Sequence, residues 1–260
     1  MGNLLKADLF RVLRTKIVYI SLIVAVGLPL FMASVFLLTG AADLEGIEMA
    51  KLVYGNMLFT GTFSSILSFS YIFAIFPVIV IMMDFGNGTI RNKIIHGYTR
   101  HQIFAAHFIV SLLYVLVLTV LYAGTTTACS FLMLKVGEFD VASVVYYFII
   151  GLVGALISAS IGCSMALSFA NAGSILLTVV GRLLFDNLYL IVALIFNANG
   201  MEDNQVTQHV LSFFPCYVTG LLSSTIIEPV MVIEALCGIL VLSGGFYALG
   251  TFVFSKKDFK

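Results

Sequence analysis

The sequence predicts an all-α integral membrane protein: six transmembrane helices, an N-terminal amphipathic interfacial helix, and a short re-entrant or interfacial helical segment before the last span. Three observations carry this. Of 260 residues, 61% are hydrophobic and 10% charged, where soluble domains sit nearer half and a quarter, so a soluble fold has nowhere to cover the apolar surface. The apolar residues fall in uncharged runs which, at about 1.5 Å per helical residue, reach across a hydrocarbon layer of roughly 30 Å. And although the formal net charge is zero, the charges are sorted by sign along the chain.

The elements follow in order, and all of residues 1–260 read as one membrane domain. Residues 3–14 place Leu5, Leu9, Val12 and Leu13 at helical spacing with Lys6, Asp8, Arg11 and Arg14 between them, the pattern of a helix lying along a membrane face. Residues 17–38 form the first span, with a possible bend at Pro29. An acidic connection over 40–51 leads to span two, 64–83, which carries Pro77, and a polar loop occupies 84–100. Span three, 104–134, contains Gly124, Thr125, Thr126 and Thr127, a stretch better suited to protein than to lipid contact. Span four, 141–167, repeats a small residue every fourth position, at Gly154, Ser158, Gly162 and Ala166, a stripe that lets another helix approach closely. After a short connection, span five covers 174–196. Residues 197–229 hold an apolar stretch around Pro215 too short to cross, read as one or two re-entrant or interfacial helices on the outside, and 230–254 is span six.

Sign sorting orients these spans. Lys6, Arg11, Arg14 and Lys16, then Arg91, Lys93 and Arg100, then Lys256, Lys257 and Lys260 mark three regions as cytoplasmic under the positive-inside rule. Asp43, Glu45, Glu48, Glu138, Asp140, Glu202, Asp203 and Glu228 fall in the alternate connections, which are then external, and both termini lie inside. The first apolar run is too long for a signal-peptide core and is expected to stay as a span. Cys129, Cys163, Cys216 and Cys237 form no Cys-x-x-Cys pair and no metal-ligand spacing, so they read as small apolar residues, with no metal site.

Polar groups inside apolar runs are the remaining candidates. Arg182 and Asp186 are four apart in span five, on one helical face, and form either a structural pair or part of a polar pathway. Arg182 is also within snorkelling reach of the inner surface, about 12 Å from the inner end of its helix. Glu234, one turn inside span six, reads as interfacial. His107 and His209 have no Cys or carboxylate neighbour in the sequence and read as structural. Gly162-Cys163-Ser164-Met165-Ala166 loosely matches Gly-x-Ser-x-Gly, and an intramembrane serine hydrolase would pair Ser164 with His107, but helix packing explains the same residues more simply. No Gly-x-x-x-x-Gly-Lys-Ser/Thr phosphate loop occurs, so ATP would have to be bound by another chain.

The loop 84–100 has glycine-bounded ends and a helix-like centre, Thr89 to His96, and as composition alone it is equally a basic connector at lipid headgroups. Asp84, the Gly88-Thr89-Ile90-Arg91 motif, Gly97 and Arg100 resemble the loop between spans two and three in type-2 permeases of ATP-binding-cassette (ABC) exporters. The basic N-terminus through Arg14-Thr15-Lys16, the Pro215 segment and the ending with Lys257-Asp258 are similar too, and the likeness extends over the whole chain in topology. The resemblance implies a non-catalytic transport subunit of the bacterial plasma membrane. It implies a coupling helix at 88–97, seated in a separate ATPase subunit through Asp84, Gly88, Thr89, Ile90, Arg91, Lys93, Gly97 and Arg100, with Asp84 and Arg91 as polar anchors. ATP and magnesium belong to that partner, and a second copy or a homologous permease completes the pathway. No nucleic-acid partner is expected. Abundant Phe and Tyr and scarce intramembrane charge fit a hydrophobic or amphipathic substrate, such as a peptide or lantibiotic, a drug or a lipid-like molecule. The outward direction comes from the resemblance alone. The alternatives are the Ser164 hydrolase and an ATP-independent channel or carrier built around Arg182 and Asp186.

Overall fold

A computed structural model describes residues 2–41, 47–134, 136, 141–169, 171, 173–199, 205–214, 216–218 and 229–257. The elements are α1 (Gly2–Leu13), α2 (Lys16–Ala41), α3 (Ile47–Gly86), α4 (Thr89–Ile95), α5 (Arg100–Met133), α6 (Val141–Phe169), α7 (Gly173–Ala198), α8 (Gln205–Ser212) and α9 (Pro229–Ser255), with no strand among the described residues. By length and composition α2, α5, α6 and α9 each suffice to cross a membrane, and the end of α3 with α4 passes the same test as a pair bent by 63°. The chain is a multi-pass membrane protein.

Local chemistry sets several boundaries. Thr99 opens α5 with a capping box: its hydroxyl accepts from the Gln102 backbone N–H at 3.3 Å, while the Gln102 side chain accepts from the Thr99 N–H at 3.1 Å. Pro229 occupies the first position of α9, where its missing N–H costs no helical bond. The helix α3 departs from the sequence reading. It starts at Ile47 and is 40 residues long, about 60 Å, roughly twice the hydrocarbon thickness. Part of the expected 40–51 connection is therefore helical, because Glu48, Met49, Ala50, Lys51 and Leu52 are helix formers with no proline to stop them. The rest of that connection, 42–46, lies outside the described residues, as do 219–228 of the segment expected outside and 258–260, which include Asp258.

The central helix is α6. It packs most extensively along α3 and α9, and α5 and α7 flank it. Gly154, Ser158, Gly162 and Ala166 are all buried. The Ser158 hydroxyl exchanges a 2.9 Å hydrogen bond with Ser70 of α3, and a Cβ added at Gly162 would stand 3.0 Å from the Val78 side chain. On the α9 side the approach is closer still: a Cβ at Gly250 would lie 2.6 Å from the Ser164 Cβ and 2.9 Å from the Phe104 ring. Gly238 likewise has no room for a side chain, because the backbone of Phe213, after α8, rests against it.

At the end of the bundle that carries α4, a core of Val78, Ile81, Ile103, Phe104, Leu167 and Phe254 joins α3, α5, α6 and α9. Phe104 meets Tyr247 edge-on at 5.1 Å, a favoured aromatic geometry. The same end gathers the chain's distant parts. Lys257 donates to the carbonyls of Ser168 at 2.9 Å and Leu167 at 3.3 Å, capping the C-terminus of α6, and Arg100 donates to the Ser255 carbonyl at the end of α9.

Gly250→Ala should lower stability by about 1–3 kcal/mol through overpacking, read as thermal unfolding in detergent. Adding Ser164→Gly should restore part of the loss by vacating the contact, and no recovery in the double variant would place the strain elsewhere.

Candidate functional site

The α4 helix is short and held at both ends. It leaves the last part of α3 through Asn87 and Gly88, the latter in the left-handed region with φ 68°, a conformation that glycine adopts without steric cost. It closes with Gly97 at φ 87°, whose N–H donates to the Ile94 carbonyl at 3.0 Å, while the Tyr98 N–H donates to the Lys93 carbonyl at 3.2 Å. This pair of bonds is a Schellman motif. One residue later the Thr99 capping box starts α5, so no slack separates the two helices.

Two faces of α4 do different work. Ile90, 1% exposed, enters the core between α3, α5, α6 and α9, and Lys93 points the same way. Opposite them Arg91, Asn92, Ile95 and His96 are exposed, Ile95 to 70%. Arg91 and Ile95 are four residues apart and share that outer face.

Behind Lys93 lies a buried ionic cluster assembled from four helices. The Lys93 ammonium contacts the Asp8 carboxylate of α1 at 2.7 Å and donates to His107 Nε2 of α5 at 3.1 Å. Arg11, one turn after Asp8, lies 3.3 Å from it and also pairs with Asp84 in the last turn of α3. Because Lys93 donates to Nε2, the neutral His107 ring carries its proton on Nδ1, which faces Asp84 Oδ2 at 3.7 Å. Two carboxylates thus meet two cations around a neutral imidazole. In the sequence reading both Asp84 and Lys93 fall in the loop 84–100, after the span 64–83. Burial raises the Asp84 pKa to about 6 and outweighs the opposing pull of Arg11 and Lys93. Burial also lowers the Lys93 pKa, against the support of Asp8.

The predicted contact set is divided by this arrangement. Gly88 and Gly97 shape the backbone, Thr89 is half-buried in the first turn of α4, and Arg91 is exposed. Asp84, Ile90 and Lys93 face inward, into the cluster and the core, and Arg100, half-buried, donates to the end of α9. A seven-residue helix seated on a bundle must bury one face, and a motif read along the sequence does not reveal which.

The cluster also revises α1. Its buried face is Leu4, Asp8 and Val12, while Leu9, Phe10 and Leu13 stay exposed. Asp8, one of the polar residues between the apolar positions of the amphipathic pattern, is 2% exposed because Arg11 and Lys93 receive it. His107 acquires ionic neighbours that the sequence does not show. His209 and Glu234 also meet, at 2.8 Å, and Ser212 donates to the same carboxylate, so Glu234 ties α8 to α9 in addition to lying near the helix end. Among the described residues Ser164 has no imidazole partner: its hydroxyl donates to the Phe246 carbonyl at 2.8 Å, and both nitrogens of His107 face Lys93 and Asp84. Arg182 and Asp186 lie in α7, but their side chains are outside the described residues.

The described residues thus form a helical membrane bundle with a short, half-exposed helix between two long ones. The chain belongs to the ABC-2 transporter family: the family model described as "ABC-2 family transporter protein" matches residues 4–184, which contain α1 to α6, the ionic cluster and the first part of α7. It is a membrane permease of an ABC transporter, and membership implies an ATPase partner. No curated protein matches the chain.

Lys93→Met and Asp8→Asn should each destabilise the protein by about 3 kcal/mol, since each strands a buried charge. The double variant should lose clearly less than the sum. Strict additivity in thermal unfolding would show that the two side chains do not act as a pair.

Proposed function

We propose that this chain is the membrane half of an ABC exporter in which α4 is the coupling helix. It docks its outer face, Arg91, Asn92, Ile95 and His96, into an ATPase subunit that hydrolyses ATP with magnesium. The observation that carries the reading is the exposed Ile95 and Arg91 on a helix that is closed at its C-terminus by a Schellman turn and anchored from behind by Ile90 and Lys93. A helix fixed in this way passes a displacement to α3 and α5, whereas a loose connector would absorb it.

In this reading α2, α3, α5, α6, α7 and α9 are six spans with α1 at the interface, and α4 and both termini lie on the cytoplasmic side. The meeting of Arg11 with Asp84, of Arg100 with Ser255, and of Lys257 with the end of α6 supports putting these segments on one side of the membrane. Two copies, or this chain and a homologous permease, enclose the pathway. An apolar cleft of about 410 Å3, lined by Phe108, Ile109, Leu156, Leu240, Ser243 and Tyr247 between α5, α6 and α9, supports a hydrophobic or amphipathic substrate, and the exporter reading takes its movement as outward.

The test is reconstitution with an ABC-type ATPase subunit that co-purifies with the chain, following ATP-driven transport in proteoliposomes. Arg91→Glu and Ile95→Asp, both on exposed positions, should insert and fold normally yet lower transport by about ten-fold or more, in the range of interface hot spots. Hydrolysis should lose its dependence on substrate. Undiminished transport in both variants would remove α4 from the contact.

A further inference from the structure

The single acid of α1 is turned inward, so the exposed charge of α1 and of its joint to α2 is basic. Asp8 is consumed by Arg11 and Lys93. Lys6, Arg14 and Lys16, on α1 and its joint to α2, are exposed and make no ion pair among the described residues. Arg14 rests over the Phe10 ring at 4.2 Å, beside the bundle instead of reaching into it.

Next to this basic joint, α1, α2 and α5 leave a crevice of about 190 Å3. Val12, Val18 and Leu118 form its buried floor, and Leu9, Leu13 and Leu113 form a partly exposed rim. Its two polar side chains, Ser21 and Tyr114, are bonded to each other at 2.7 Å, and Ser21 also bonds to the Val18 carbonyl at 2.8 Å. A water molecule there would find almost no partner, whereas dry apolar cavities of roughly 150 Å3 are known to accept apolar ligands. The rim residues are apolar, so the opening faces lipid tails better than water.

We propose that this crevice is a site for one acidic phospholipid, with an acyl chain between α1, α2 and α5 and the phosphate on Arg14 and Lys16. Charge complementarity selects the headgroup. Exposed cations at the joint that make no ion pair among the described residues favour an anionic lipid over a zwitterionic one, and Leu13 and Val18, which flank the Arg14-Thr15-Lys16 joint, carry the chain of contact from headgroup to crevice. The bound lipid would fill the space under α1 and hold Asp8 and Arg11 against the loop. The proposal does not depend on docking of an ATPase.

The full-length chain in detergent is mixed with equal amounts of phosphatidylglycerol and phosphatidylcholine and examined by native mass spectrometry. Wild type should keep one phosphatidylglycerol in clear preference. Arg14→Gln with Lys16→Gln should reduce that preference by about five-fold per cation removed, without change in thermal unfolding, because both side chains are exposed. Val110→Phe, which fills the crevice from α5, should remove the retained lipid of either kind. Equal retention of both lipids by wild type, or a preference unaltered in the charge variant, overturns the proposal. So does displacement of the retained lipid by a transported substrate, which would make the crevice part of the pathway.

Discussion

A charge taken out of water must find its opposite within a few ångströms, and the α4 end of this protein is organised by that requirement. Asp8, Arg11, Asp84 and Lys93 come from α1, from the last turn of α3 and from α4, with His107 of α5 as a neutral neighbour. Each is costly alone and tolerable in company. Satisfying all of them together fixes where α1 lies against α5, how α3 ends and which face of α4 is left for the outside. The exposed face follows from the buried one.

Packing elsewhere relies on closeness of another kind. Between α6 and its neighbours there is little charge, and lipid is as apolar as a leucine side chain, so contact area and small residues hold the helices together. Gly162 against Val78, Gly250 against Ser164 and Phe104, and Gly238 against the Phe213 backbone each mark a crossing where one methyl group would intrude. The central position of α6 thus depends on side chains that are absent, which explains why its sequence looks chemically bland.

Much of this was legible beforehand. Apolar runs announced the long helices to within a few residues for α2, α5, α6, α7 and α9, since burial in lipid demands length and the absence of charge. The small-residue stripe on α6 was visible by its spacing. Helix α3 was cut short because the polar residues Glu48 and Lys51 read as a connection, although propensity favours a helix there. The ionic cluster was hidden because its pairs span 73 and 85 positions in the chain; a periodicity window sees Asp8 only as one polar residue among Lys6, Arg11 and Arg14. Thr99-Arg100-His101-Gln102 is a capping-box pattern that marks the start of α5, five residues before its apolar run, and with it the turn beside which His107 meets Lys93.

The junction between α4 and α5 restricts what lengths the chain can have. With the Schellman turn at Gly97 and the cap at Thr99 separated by a single residue, an insertion or deletion cannot be taken up as slack. It becomes a rotation of about 100° per residue around the α5 axis. His107 would then swing away from Lys93, and Phe104 away from Phe254, although every residue was still present. The length of this loop is therefore as much a part of its fold as the residues that line it.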